Sequence, residues 1–216
     1  MSAPRSVAWG GVVALLGVAL GGCAADEASP SSRPTATRSV TTSSAAPSPQ
    51  LVPPARRAAS VPVAQPPATA TLPSGRVVRI SAVGTTAAGL LDVPADIDVA
   101  GWWRGGSRLG DPFGSILVAA HIDSRAQGLG PFAELLTVDQ GARVRLESAD
   151  LRQTFVVRSR RLVPQGSLVD DSWIFAASGE GRLTLVTCAP PYDAARGGYQ
   201  NLAVVTAVPR GAPDET

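Results

Sequence analysis

Between residues 76 and 210 apolar positions come in short runs separated by Gly-, Pro- and Asp-rich turns, and the runs carry strand rather than helix periodicity. Val77 to Val83 is mostly apolar. Ser115 to Ala120 is a small apolar strand, and Leu183 to Cys188 and Leu202 to Val208 are two more. Arg143-Val144-Arg145-Leu146-Glu147 alternates strictly, which predicts one wet and one buried face. Thr154 to Val163 is a second arginine-studded strand. Pro131 to Leu136 predicts a short turn of helix, with Pro at its start and Phe132, Leu135 and Leu136 on one side. A second helical turn is expected within Ser167 to Ala177. Many short strands, few helices and no internal repeat predict an all-β barrel or sandwich.

The first 75 residues follow a different pattern. Arg5 precedes an apolar run from Val7 to Leu20, about 21 Å long as a helix and short of the roughly 30 Å needed to span a bilayer. Residues 1–23 are therefore expected to be an export signal. Leu20-Gly21-Gly22-Cys23 resembles a bacterial lipoprotein cleavage box, which implies lipidation of Cys23; a plain signal peptide or an uncleaved anchor are the other readings. Residues 24–75 hold ten of the 19 prolines among Ala, Ser and Thr, and are expected to be a disordered linker. A flexible chain of that length spans on the order of 40 Å, enough to hold a domain away from a membrane. Residues 211–216 are expected to be a tail.

Composition removes several function classes. The net charge is +2 with no basic block, so no nucleic-acid partner is expected. All 19 basic residues are arginine, which excludes a lysine nucleophile. Two cysteines and one histidine cannot supply a structural zinc site, and neither metal nor cofactor is expected. Asp170 and Asp171 are too little to support a calcium site.

Cys188 and His121 are what remain for chemistry. Each is expected at the end of an apolar strand, where a rigid scaffold can hold a reactive group. A cysteine attacks as thiolate, and an imidazole can take its proton. A lone cysteine on an apolar strand is more often a small buried hydrophobe, so composition alone does not decide the matter.

Longer motifs do. Thr184-Leu185-Val186-Thr187-Cys188 resembles the Thr-Leu-x-Thr-Cys signature of sortases at every fixed position. Val93-Pro94-Ala95-Asp96, Gly101-Trp102-Trp103, Gly114 to Ser124, Gly130-Pro131-Phe132-Ala133-Glu134-Leu135 and Asn201 to Ala207 follow the order of the actinobacterial class F group. The resemblance implies a closed barrel of about eight strands with one or two short helices over residues 76–210. It also implies cleavage of a Leu-Pro-x-Thr-Gly-like sorting signal through a thioacyl-enzyme. Transfer to an amine, such as one on a cell-wall precursor, follows at the outer face of the cytoplasmic membrane, by a monomer. Cys188 would be the nucleophile and His121 would protonate the leaving amine.

One position departs from that pattern. Class F sequences carry an arginine twelve residues past the cysteine, and here that position is Gln200. Arg196 in front of Gly197-Gly198 is the favoured substitute, with Gln200 as a neutral, weaker donor. Thr187 is a further candidate for an oxyanion or substrate contact. Asp123 either orients His121 or caps a turn. Trp102 and Trp103 would alternate faces, at least one of them in the core. Arg158, Arg160 and Arg161 read as a solvated strand face, and Pro190-Pro191 as a stiffener of the loop after the cysteine. The rival readings are a lipoprotein of the same fold that binds sorting-signal peptides without turnover, and a hydrolase that releases the acyl group to water.

Overall fold

The computed structural model describes residues 62–87, 89–165 and 172–216. The signal, Cys23, most of the linker and the Asp170-Asp171 pair lie outside these residues. Eleven strands occur among them. They are β1 (Thr69–Thr71), β2 (Val77–Val83), β3 (Val99–Trp103), β4 (Ser115–Ala119), β5 (Asp123–Ser124), β6 (Gly128–Leu129), β7 (Arg143–Glu147), β8 (Leu151–Pro164), β9 (Arg182–Asp193), β10 (Gly198–Pro209) and β11 (Asp214–Glu215). Hydrogen-bonded neighbours run β10-β9-β4-β3-β2-β1-β7-β8, and β8 pairs back onto β10, which closes an eight-stranded barrel. Closure leaves no long unpaired edge. β11 adds to β8, and β5–β6 is a separate hairpin.

The alternating strands behave as their patterns predict. In β7, Val144 and Leu146 are buried while Arg143 and Arg145 are exposed. The barrel interior holds Val78, Trp102, Ile116, Val118, Phe132, Leu135, Phe155, Leu183, Leu185 and Val205. Trp102 donates its indole N–H to the Ser107 carbonyl at 2.9 Å, which satisfies its one polar group inside the core.

β4 is buried at all five positions because its outer face is covered as well. Leu117, Val163, Ile174 and Val204 form a second cluster, joined by Trp103, Phe175, Val186 and Leu202. Ser172–Phe175, a 3-10 turn, supplies the lid of this cluster, and Phe175 meets Trp103 edge-on at 5.5 Å. Gly114 lets the chain enter β4 at φ 78°; a Cβ there would meet the Ala177 carbonyl oxygen at 2.7 Å.

Several boundaries differ from expectation. The barrel takes in β1, upstream of residue 76, because three residues between prolines suffice to bridge β2 and β7. Asp214–Glu215 pairs with β8 where a tail was expected. Pro131–Leu136 is helical as predicted, but 3-10 in form. A further 3-10 turn, Ala194–Arg196, is started by the Asp193 carboxylate accepting from the Ala195 N–H at 2.9 Å and stopped by Gly197 at φ 89°.

Candidate active site

The parallel β4–β9 ladder ends at Ala119↔Val186. Beyond it β4 turns away while β9 continues, paired only with β10, so Cys188 is not at a strand end. It sits at the point where β9 loses its β4 neighbour, opposite Leu202 of β10. Strand parity then decides which way each side chain points. Leu185, Thr187 and Ala189 are buried toward the interior, while Val186 and Cys188 are only partly buried on the outer face. Leu117 and Ala119 share that outer face by the same count of two, and His121 lies two residues past the end of β4. Strand placement thus brings His121 and Cys188 to one groove of about 410 Å³, with Leu90, Leu91, Val93, Leu117, Ala119, Ala120, Ile174, Phe175, Val186 and Leu202 as its apolar walls.

Thr187 locks this arrangement. Its side chain is 2% exposed, and its hydroxyl donates to the Ala120 carbonyl at 2.8 Å. The residue before the cysteine is thereby tied to the residue before the histidine. Thr187 also lines the groove, and with its proton committed to Ala120 it ties the two reactive residues together.

A second cavity, about 560 Å³, also reaches Cys188 and is polar. Asp123, Ser124 and Arg125 line it from the β5–β6 hairpin, Tyr192, Gly197, Gly198 and Tyr199 from the β9–β10 turn, and Gln165 from the end of β8. The Tyr199 hydroxyl donates to Asp123 Oδ2 at 2.7 Å, and Tyr192 stacks edge-on against Tyr199 at 5.1 Å. Asp123 therefore orients Tyr199 across the cavity, with no hydrogen bond to His121.

Burial pushes the Cys188 thiol above its ordinary pKa, and the nearby Asp123 charge adds to that push. Cys188 is consequently a thiol at neutral pH. The hydrogen bond to Asp123 raises Tyr199 to about 12, so it remains a donor across the same range.

The two expected substitutes for the missing arginine are placed differently. Arg196 is 72% exposed and turns toward Asp193, Nε to Oδ2 at 3.5 Å. Gln200 sits in a bulge of β10, and its amide donates to the Gly198 carbonyl at 2.7 Å. Neither lines the groove or the cavity. Gln165 lines both spaces, and sequence reasoning passed over it. It belongs to no motif, and only its backbone N–H bond to Gln200 O at 2.8 Å sets it there.

Comparison with known proteins agrees on the architecture. The solved structures of sortase C from Streptococcus pneumoniae (17% identity, TM-score 0.52, covering 71% of this chain and 73% of that one) and sortase A from Listeria monocytogenes (17%, 0.50, 68% and 88%) share the fold. So does sortase E1 from Streptomyces coelicolor, solved with a tripeptide in its active site (17%, 0.51, 69% and 91%). No curated protein matches the sequence. The sortase-domain family matches residues 73–209, the whole run from just before β2 to the end of β10 and well over half of the 216 residues, and on that match the chain belongs to the sortase family.

Proposed function

We propose that this chain is a class F-like cysteine transpeptidase that cuts a Leu-Pro-x-Thr-Gly-like sorting signal and joins the new Thr carboxyl to an amine. The observation that carries this reading is the meeting of His121, the sole histidine of the chain, with Cys188 in one apolar groove. Apolar walls suit the Leu-Pro side chains, and the reacting carbonyl must then lie over Cys188.

The chemistry follows from the protonation state. Cys188 begins as a thiol. Its proton passes to His121 as sulfur attacks the Thr carbonyl carbon, and the carbonyl π electrons move to oxygen. The oxyanion collapses, the C–N bond breaks, and His121 returns the proton to the leaving Gly nitrogen. A thioester remains on Cys188. An incoming amine attacks it, His121 takes the amine's proton, the C–S bond breaks, and His121 passes that proton to the departing sulfur to restore the thiol. Water in place of the amine would give hydrolysis by the same steps. The export signal and a lipid on Cys23 would put this chemistry at the outer membrane face, with a cell-wall precursor as one source of amine.

The positions of Arg196 and Gln200 support a second reading, in which the same groove binds a sorting peptide without turnover. Mass spectrometry of the purified full-length chain, incubated with a Leu-Pro-x-Thr-Gly peptide library with and without an amine acceptor, separates the two. Transpeptidation predicts an acyl adduct on Cys188 that is absent in Cys188→Ala and falls by about 10³-fold or more in His121→Ala. Peptide binding without any adduct would establish the binding protein instead.

A further inference from the structure

The oxyanion formed on the scissile carbonyl needs a hydrogen-bond donor, and a charged one is worth roughly twice a neutral one. Gln200 and Arg196 are both committed elsewhere, to the Gly198 carbonyl and to Asp193. Among the described residues that line the cavity beside Cys188, Arg125 is the one arginine. The hairpin holds its backbone. Asp123↔Leu129 and Ser124↔Gly128 pair the two arms of the hairpin. The Ser124 hydroxyl accepts from the Ala126 N–H at 3.3 Å, and the Gln127 side chain accepts from the Ile97 N–H at 3.3 Å. The Tyr199–Asp123 bond at 2.7 Å moors the hairpin to β10. Asp123 is thus occupied by Tyr199, and Arg125 itself makes no ion pair among the described residues.

We propose that Arg125, on the turn of the β5–β6 hairpin, is the charged donor to the scissile carbonyl oxygen in this chain, in place of the arginine missing at position 200. The assignment rests on the transpeptidase reading above and adds to it the residue that stabilises the oxyanion. A long side chain with five donors, rooted at the rim of the cavity, can swing to a carbonyl over Cys188 without moving the backbone. Arg125 is exposed at the cavity rim, and burial and Asp123 govern the thiol.

Single-turnover acylation of the full-length chain by a Leu-Pro-x-Thr-Gly peptide tests this. Arg125→Ala should slow acylation by about 10²-fold at saturating peptide with KM little changed, as expected for a donor used only in the transition state. Arg125→Lys should recover part of the loss. Arg196→Ala and Gln200→Ala should stay within about twofold of the parent. Alkylation of Cys188 by iodoacetamide, which builds no oxyanion on the peptide, should be unchanged in Arg125→Ala. Normal acylation by Arg125→Ala, a loss that falls on Arg196→Ala or Gln200→Ala, or a parallel loss of alkylation would each overturn the assignment. Absence of an adduct in the parent chain would instead remove the transpeptidase reading, and the assignment with it.

Discussion

The groove walled by Leu117, Ile174, Phe175 and Val186 and the cavity walled by Asp123, Tyr192 and Tyr199 both reach Cys188, yet they are made from different parts of the chain. The groove is the outer face of barrel strands, packed into a continuous apolar cluster under the Ser172–Phe175 turn. The cavity lies between two hairpins that project from the barrel, held by one side-chain hydrogen bond and an aromatic pair. Close packing makes the first a fixed shape, suited to telling side chains apart. The second sets charge around the sulfur. The apolar wall and the charged wall are therefore separate, and changes to the side chains of one should leave those of the other in place.

Phe175→Ala gives the largest break in that comparison. It removes the edge-on partner of Trp103 and opens one wall of the groove. Phe175 is only partly buried, so the stability cost should be about 2 kcal/mol, below the 3–5 kcal/mol of a fully buried Phe. The KM for sorting peptide should rise about tenfold while the iodoacetamide reactivity of Cys188 stays as in the parent. Urea unfolding and peptide kinetics read the two effects separately. A change in thiol reactivity would show that the two walls are coupled after all.

The groove was far more legible in the sequence than the cavity. Period-2 patterning marks Arg143–Glu147 at its observed bounds, because it has one wet face, and Val77–Val83 is marked as an apolar run. The patterning misses Val99–Trp103, where three successive buried positions, Gly101 among them, erase the alternation. Cys188 stands on β9 and His121 follows β4 by two residues, both next to plain apolar runs, so motif and strand placement make their meeting legible. The extension of β9 through Pro190 and Pro191 is hidden, because prolines argue against a strand. They are tolerated here because β9 has lost its β4 neighbour, and the ladder with β10 skips a residue between Tyr199 and Asn201. Asp123 and Tyr199 are 76 residues apart, and nothing local pairs them. Arg125 and Gln165 gain meaning only from the hairpin and ladder that place them. The arginine expected near position 200 could be seen to be absent, but its substitute could not be read from chain proximity.

Asp123→Asn is expected to act on the other wall alone. Asp123 is the second cause of the raised Cys188 pKa, after burial. Removing its charge lowers the thiol pKa toward, though not to, its ordinary value. At pH 7 to 8, below that pKa, more thiolate is present and iodoacetamide alkylation should speed up several-fold, its pH profile moving to lower pH. Peptide KM should hold, since the apolar walls are untouched. An unmoved alkylation profile would place the Asp123 charge too far from the sulfur to matter.

The smallest effect is expected from Tyr199→Phe, which keeps the edge-on ring pair with Tyr192 and deletes only the hydroxyl bonded to Asp123. The pair is largely exposed, so water screens it and the loss in stability should be under about 1 kcal/mol. Its pH dependence has a definite sign. The folded-state pKa, about 12, lies above the ordinary value of 10.0, so the bond contributes fully below pH 10 and fades as pH rises toward 12. Urea unfolding at pH 8 should therefore separate Tyr199→Phe from the parent, and the gap should narrow at pH 11. Phe at this position also unmoors the β5–β6 hairpin from β10, so Arg125 loses its fixed base. Acylation should then slow by several-fold, less than in Arg125→Ala, with peptide KM unchanged. A Tyr199→Phe enzyme as fast as the parent would mean that the barrel alone, without the bond across the cavity, holds the hairpin in place.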